Sequence, residues 1–221
     1  MALLHQADIT PTKIDMLSRW APTQPWFVGD AGGSVTNLAA YRFDDPDGQV
    51  GIETILVTAG AGPVLQIPVT YRDAPLAGAE TSLITTMQHS VLGERWVYDA
   101  TGDPAYLAAV ATAAITGGHQ AELTIEIDGQ MVVREPTAVV AGSGTPGGAA
   151  VTPPAVAEIS IRQEPGATVV TAGTLRIIVA RVLGDDDVLA NQAPDSAHEV
   201  LAGTWSDQPT LRDLVLVATP A

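Results

Sequence analysis

The chain has no cysteine and a single lysine, Lys13, and these two scarcities exclude several chemistries together. Without cysteine there is no disulfide framework, no thiolate nucleophile and no Cys-ligated metal. Positive charge is scarce in general: ten Lys and Arg stand against twenty-five Asp and Glu, for a net charge of −15. That balance repels phosphate backbones and anionic bilayers, so nucleic-acid and membrane partners are not expected. No stretch approaches the ~18 apolar residues of a membrane helix. The opening MALLHQADITPTK lacks a basic segment before an apolar run, so a cytoplasmic location is expected. Aromatics are few, with four Trp, four Tyr and two Phe in 221 residues.

What remains is apolar and small. Hydrophobic residues make up 46% and charged residues 16%, a composition that buries a core rather than staying disordered. Abundant Ala, Gly, Val and Pro, with nine arginines beside one lysine, point to a high-GC bacterial source.

Turn residues and apolar periodicity divide the chain. Thr10-Pro11 reads as the cap and first position of a helix that Pro22 stops, with Ile14, Leu17 and Trp20/Ala21 on one face. Strands are predicted over 37–43, 50–58, 64–72, 80–88 and 94–98, the first two joined by Asp44-Asp45-Pro46-Asp47-Gly48. Asp103-Pro104 opens a second helix that Gly117-Gly118 ends, and Asp128-Gly129 marks a hairpin between 121–127 and 130–134. The uncharged run AGSGTPGGAAVTPPAVA, 141–157, reads as a linker, and 158–163, 174–183 and 211–217 read as further strands.

The few aromatics are concentrated. PVTYRDAPLAGAETSLITTMQHSVLGERWVYD (68–99) brings Tyr71, Arg72, His89, Arg95, Trp96, Tyr98 and Asp99 within about thirty residues. Together with LSRWAPTQPWFVG (17–29), this run resembles the N-terminal cap domain of actinobacterial maltokinases, in which a short helix and an aromatic-Gly element precede antiparallel strands, an acidic turn and a helix. The resemblance covers about residues 10–117. It implies an N-terminal helix on a curved, cystatin-like antiparallel sheet (1–117); with the strands read beyond it, the expected fold is α+β, that domain followed by a mostly antiparallel β unit with one helix (118–221). It also implies a setting in trehalose, maltose and α-glucan metabolism, with a cap that does no chemistry. EISIRQEPGATVVTAGTLRIIVARVL faintly resembles the first strands of a kinase N-lobe, yet Ile178-Val179-Ala180 stand where that strand would carry its lysine.

The residues themselves argue against a kinase. A bilobal kinase needs roughly 250 residues beyond such a cap, against ~100–200 for one domain. It also needs a phosphate-binding lysine, a catalytic-loop acid and a metal-binding Asp. Lys13 lies in the first predicted helix, no H-x-D follows any of the four histidines, and no DFG-like triplet occurs. No cofactor is therefore expected.

Other motifs have bland explanations. Gly142-Ser143-Gly144-Thr145-Pro146-Gly147 matches G-x-G-x-x-G, but Pro146 and Pro153-Pro154 prevent the helix start that would aim N–H groups at a pyrophosphate. Asp45, Asp47, Gly48 and Glu53 miss the EF-hand register, leaving Phe43 and Thr54 at ligand positions, so a solvated turn is expected there and at Asp185–Asp187. His5, His89, His119 and His198 share no metal-ligand spacing. Ser90 and His89, as neighbours on a strand, point to opposite faces and cannot act as nucleophile and base.

Two functional readings stay open. In the first, the aromatic and arginine residues form a contact surface for a protein partner in α-glucan metabolism, or for self-association through open sheet edges. In the second, the Tyr71/Arg95/Tyr98 face serves a carbohydrate- or small-molecule-binding module, or a residual sugar-kinase-related enzyme. A purely structural alternative has Trp96 and Trp26 anchoring the helices while Arg72 and Arg95 pair with Glu53 or Asp99. An ordered pocket with convergent polar groups would favour a ligand.

Overall fold

The computed structural model describes residues 2–4, 8–127, 130–184, 187–193 and 197–218. The expected Asp128-Gly129 turn, His5, Asp185 and Asp186 lie outside them. In chain order the elements are β1 (Ala2–Leu4), β2 (Ile9–Thr10), α1 (Lys13–Trp20), β3 (Val35–Phe43), β4 (Gly51–Ala59), β5 (Val64–Arg72), β6 (Leu83–His89) and β7 (Gly93–Asp99). Then come α2 (Pro104–Thr116), β8 (Leu123–Ile127), β9 (Gln130–Arg134), β10 (Ala138–Gly142), β11 (Ile159–Glu164), β12 (Ala167–Ala172) and β13 (Leu175–Ala180). Last are β14 (Val182–Leu183), α3 (Asp187–Ala190), β15 (Glu199–Trp205) and β16 (Gln208–Ala218). The molecule is mostly β with a small amount of helix, so the α+β expectation is met only roughly. No helix among the described residues is long and apolar enough to cross a membrane.

The first sheet runs β2-β6-β7-β5-β4-β3, with β14 added beside β5. Its neighbours are antiparallel, as hairpin connections allow. One face carries α1. Met16, Leu17 and Ala21 pack with Trp26 on Ile55, Val57, Leu65, Ile67, Val69 and Val97. The alternation of β4 and β5 sends their other residues to the opposite face, where Ile52 and Leu56 join a second core. That core also holds Tyr106, Leu107 and Val110 of α2 and Val169, Ile177, Leu201 and Val215 of the second sheet, β10-β15-β16-β13-β12-β11. The core thus runs continuously across residue 117.

One connection between the sheets is covalent. The run expected as a single strand over 174–183 breaks at Arg181: β13 lies in the second sheet, whereas β14 pairs with β5 through Val182↔Leu65. Gln66 ties the same junction, donating from Nε2 to the carbonyls of Ala180 and Leu214 at 2.9 and 3.0 Å and accepting from Tyr41 Oη at 3.1 Å.

The helix starts differ in how they are capped. Asp103 caps α2 as expected, accepting from Ala105 N–H at 2.9 Å, and Gly117 ends the helix at φ 64°, where a side chain would be strained. The first helix is capped by Thr12 rather than Thr10. Thr12 Oγ1 accepts the Asp15 N–H at 3.1 Å and donates to the Asp15 carboxylate at 2.7 Å, a reciprocal closure that Thr10 cannot make because it lies in β2 opposite Gln88.

The expected linker begins inside structure, since Ala141 and Gly142 belong to β10 and pair with β15. Gly144 N–H donates to the Ala114 carbonyl at 2.9 Å, and a side chain at Gly142 or Gly144 would run into the carbonyls of Ala113 to Ile115. These glycines therefore approach the C-terminal, carbonyl-bearing end of a helix, the wrong polarity for a phosphate. A separate three-stranded sheet, β1-β8-β9, ends in β9, all five residues of which are exposed.

Candidate functional site

Strand alternation divides the aromatic and arginine set between two faces. Tyr71 points toward α1 and Arg72 away from it. On β7, Val97 joins the α1-side core, whereas Trp96 pairs across the strands with Arg72 and Thr86 on the other side.

On the α1 side the centre is Glu53, on β4 and 6% exposed. Arg42 stands directly opposite it on β3, with Nη2 at 3.2 Å from Oε1. Lys13, at the start of α1, places Nζ 2.6 Å from Oε2, and Tyr71 Oη donates to the same oxygen at 2.7 Å. Lys13 Nζ also sits 5.5 Å from the centre of the Tyr71 ring. Burial alone would raise the Glu53 carboxyl, but the charges of Arg42 and Lys13 and the hydrogen bonds from Lys13 and Tyr71 override it and lower its pKa to about 2. Burial and the neighbouring Glu53 charge push the Tyr71 phenol well above its ordinary value. At neutral pH this cluster is an ionised carboxylate clamped by three donor side chains. With both oxygens occupied and no proton within titration range, Glu53 is suited to positioning cations rather than to acid–base exchange.

Beside this cluster lies a cavity of ≈690 Å³, within the size range of small-molecule sites. Lys13, Arg42, Tyr71, His89 and Arg95 line it together with Ile9, Phe43, Val50, Ile52, Met87 and Leu92. The 44–49 turn forms a further wall. There Asp45 accepts the N–H groups of Asp47, Gln49 and Val50 at 3.3, 3.0 and 2.9 Å, so the acidic stretch is a closed hairpin turn. His89 Nδ1 accepts the N–H groups of Val91 and Leu92 at 3.2 and 3.1 Å, shaping the hairpin tip beside the cavity. Ser90 Oγ accepts from Asp8 N–H at 3.0 Å, which ties the tip to the start of β2.

The rest of the set lies elsewhere. Arg72 does not pair with Glu53 or Asp99. Its Nε and Nη2 grip Asp103 in a fork, each bond 2.7 Å, while Thr70 Oγ1 donates to the same carboxylate at 2.7 Å. The hydrogen bond to Asp103 is the largest of the influences that raise the Arg72 pKa. Because Asp103 also caps α2, this fork fixes the helix to the sheet. Tyr98 is buried, and its Oη accepts the Leu76 N–H at 2.8 Å, closing the loop before β6. Asp99 is buried against Arg181. Trp96 is half-buried and belongs to neither core cluster, whereas Trp26 is 1% exposed and meets Trp20 edge-on at 5.8 Å.

The expected face of Tyr71, Arg95 and Tyr98 is thus two faces, with Tyr71, His89 and Arg95 at the cavity and Arg72, Trp96 and Tyr98 on the other side of the sheet. Lys13 and Arg42 are the cavity residues that sequence reasoning passed over. Arg42 was within reach: closing the 44–51 hairpin with Phe43 opposite Ile52 places Arg42 opposite Glu53.

Residues 20–103 match the Maltokinase N-terminal cap domain family. The match spans the end of α1, the five strands β3 to β7 and the residue that caps α2, so it takes in Arg42, Glu53, Tyr71, His89 and Arg95. Comparison with curated proteins gives no match.

Proposed function

We propose that this chain is a non-catalytic cap-type protein, a scaffold or regulatory partner in bacterial maltose, trehalose and α-glucan metabolism. The observation that carries the reading is the cap match over residues 20–103, together with the fate of the one lysine. Lys13 is bound to Glu53 at 2.6 Å beneath the Tyr71 ring, and Ile178, Val179 and Ala180, at the position of a nucleotide lysine in the resemblance, are buried in the second core. The test is affinity capture with the purified chain as bait in its own bacterial extract. Recovery of an enzyme acting on maltose, trehalose or an α-glucan, reproduced with the purified pair, supports the reading. Failure of every such enzyme to bind the purified chain contradicts it.

A second reading is a small-molecule binding module, and one observation favours it. The cavity brings Tyr71, His89 and Arg95 together with Lys13 and Arg42 beside apolar side chains, convergent polar groups of the kind that orient a ligand in its site. In this reading the ligand occupies the cap itself and modulates contacts made elsewhere.

A further inference from the structure

The cavity gathers cationic side chains in a strongly acidic protein. Lys13, Arg42 and Arg95 are three of the chain's ten lysines and arginines, whereas Asp44 and Asp45 are two of its twenty-five acids. The lining is seventeen residues of 221, so acids occur there at about their frequency in the whole chain and cations at several times theirs. The lining acids Asp44 and Asp45 lie on the 44–49 turn, where Asp45 accepts three backbone N–H groups, and Glu53 behind the wall offsets one of the two charges on Lys13 and Arg42. Arg95 is half-buried. Its described hydrogen bond runs to the Glu94 carbonyl at 3.4 Å, and no carboxylate among the described residues pairs with it.

We propose that this cavity binds a small organic anion, a phosphate or carboxylate group on a partly apolar body. Arg95 and the remaining donors of Lys13 and Arg42 receive the anionic group, while Ile9, Met87 and Leu92 receive the body. The inference rests on the ligand-binding reading above and deepens it. Lysine has three N–H donors and arginine five, so the bonds to Glu53 leave several on each cation. Glu53 holds both cations in place before any ligand arrives, which reduces the ordering cost of binding. Partial burial strengthens each charge-assisted hydrogen bond relative to an exposed surface.

The experiment is calorimetric titration of the full chain with glucose 1-phosphate, gluconate, glucose and inorganic phosphate, at low and high salt. The expected result is binding of glucose 1-phosphate or gluconate about tenfold or more tighter than glucose, weakening as salt rises. The tighter of the two identifies phosphate or carboxylate as the group received, and inorganic phosphate, lacking the body, binds more weakly than either. Arg95→Gln is expected to weaken anion binding about tenfold or more while the melting temperature stays unchanged, because no carboxylate among the described residues pairs with Arg95. Glucose binding as tightly as both anions overturns the inference and leaves the ligand-binding reading standing. Unchanged affinity in Arg95→Gln also overturns the inference, and absence of binding by every probe overturns both.

Discussion

Arg181 Nη2 donates to both carboxylate oxygens of Asp99, at 2.8 and 2.7 Å, joining residues 82 apart in the sequence. Asp99 ends β7 inside the region that matches the cap family, and Arg181 is the point where the chain leaves the second sheet for the first. Arg181 is fully buried, donates from Nε to Thr168 Oγ1 at 2.7 Å and lies 5.0 Å from the centre of the Trp26 ring. One side chain thus bridges both cores.

Removing either partner leaves an uncompensated charge in the interior. Arg181→Met or Asp99→Asn is expected to destabilise the fold by about 3–5 kcal/mol in urea unfolding. Arg181→Met combined with Asp99→Asn is expected to cost clearly less than the sum of the two separate substitutions. Additive costs would show that the two side chains do not act as a unit.

Acid should release the Glu53 cluster. The folded carboxyl titrates at about 2 against an ordinary 4.5, so its contribution is fully present above 4.5 and lost as pH falls through about 2. The contribution is on the order of 3 kcal/mol at neutral pH. Glu53→Gln is therefore expected to be less stable than the natural chain at neutral pH, with the gap closing as acid protonates Glu53. A gap that is constant across that range would contradict the assignment.

The tryptophans should differ sharply. Trp26→Ala removes a buried ring from the α1 core and is expected to cost about 3–5 kcal/mol, whereas half-buried Trp96→Ala is expected to cost about 1–2 kcal/mol. Thermal melts of the two variants decide between these values. A larger loss from Trp96→Ala would make Trp96, not Trp26, the anchor.

Cutting after residue 140 should leave more than a shortened protein. The fragment 1–140 loses β14 beside β5, the partner of Asp99, and the second-sheet residues that cover Tyr41, Phe43, Ile52 and Leu107. It is expected to unfold without a cooperative transition and to bind a dye for exposed apolar surface. A soluble fragment with a sharp melt would show that the 1–140 portion carries a sufficient core of its own.

Local signals made much of residues 20–103 legible. Strand β5 falls on the residues its apolar run and flanking turns indicate, and α2 begins and ends at Asp103 and Gly117 because cap chemistry is written in adjacent residues. What escaped is non-local or compositional. Strands β10 and β12 are short runs of Ala, Val, Thr and Gly, and β15 is a short run with Ala202-Gly203 at its centre, so their strand character comes from their neighbours in the sheet. Arg181 sits in an apolar run and reads as part of one strand until its partner, 82 residues away, is known. For the site, sequence assembled the aromatics and arginines of 71–99 correctly as a concentration, but adjacency in sequence divides them between faces. Lys13, Arg42 and Glu53 converge only when a helix and two strands are placed together.

The most direct test of a non-catalytic cap is phosphoryl transfer itself. The purified full chain is incubated with magnesium, labelled ATP and maltose, and the products are separated. No phosphosugar above the protein-free control is expected. Phosphomaltose formed in proportion to the protein added, and absent from the protein-free control, would contradict the account.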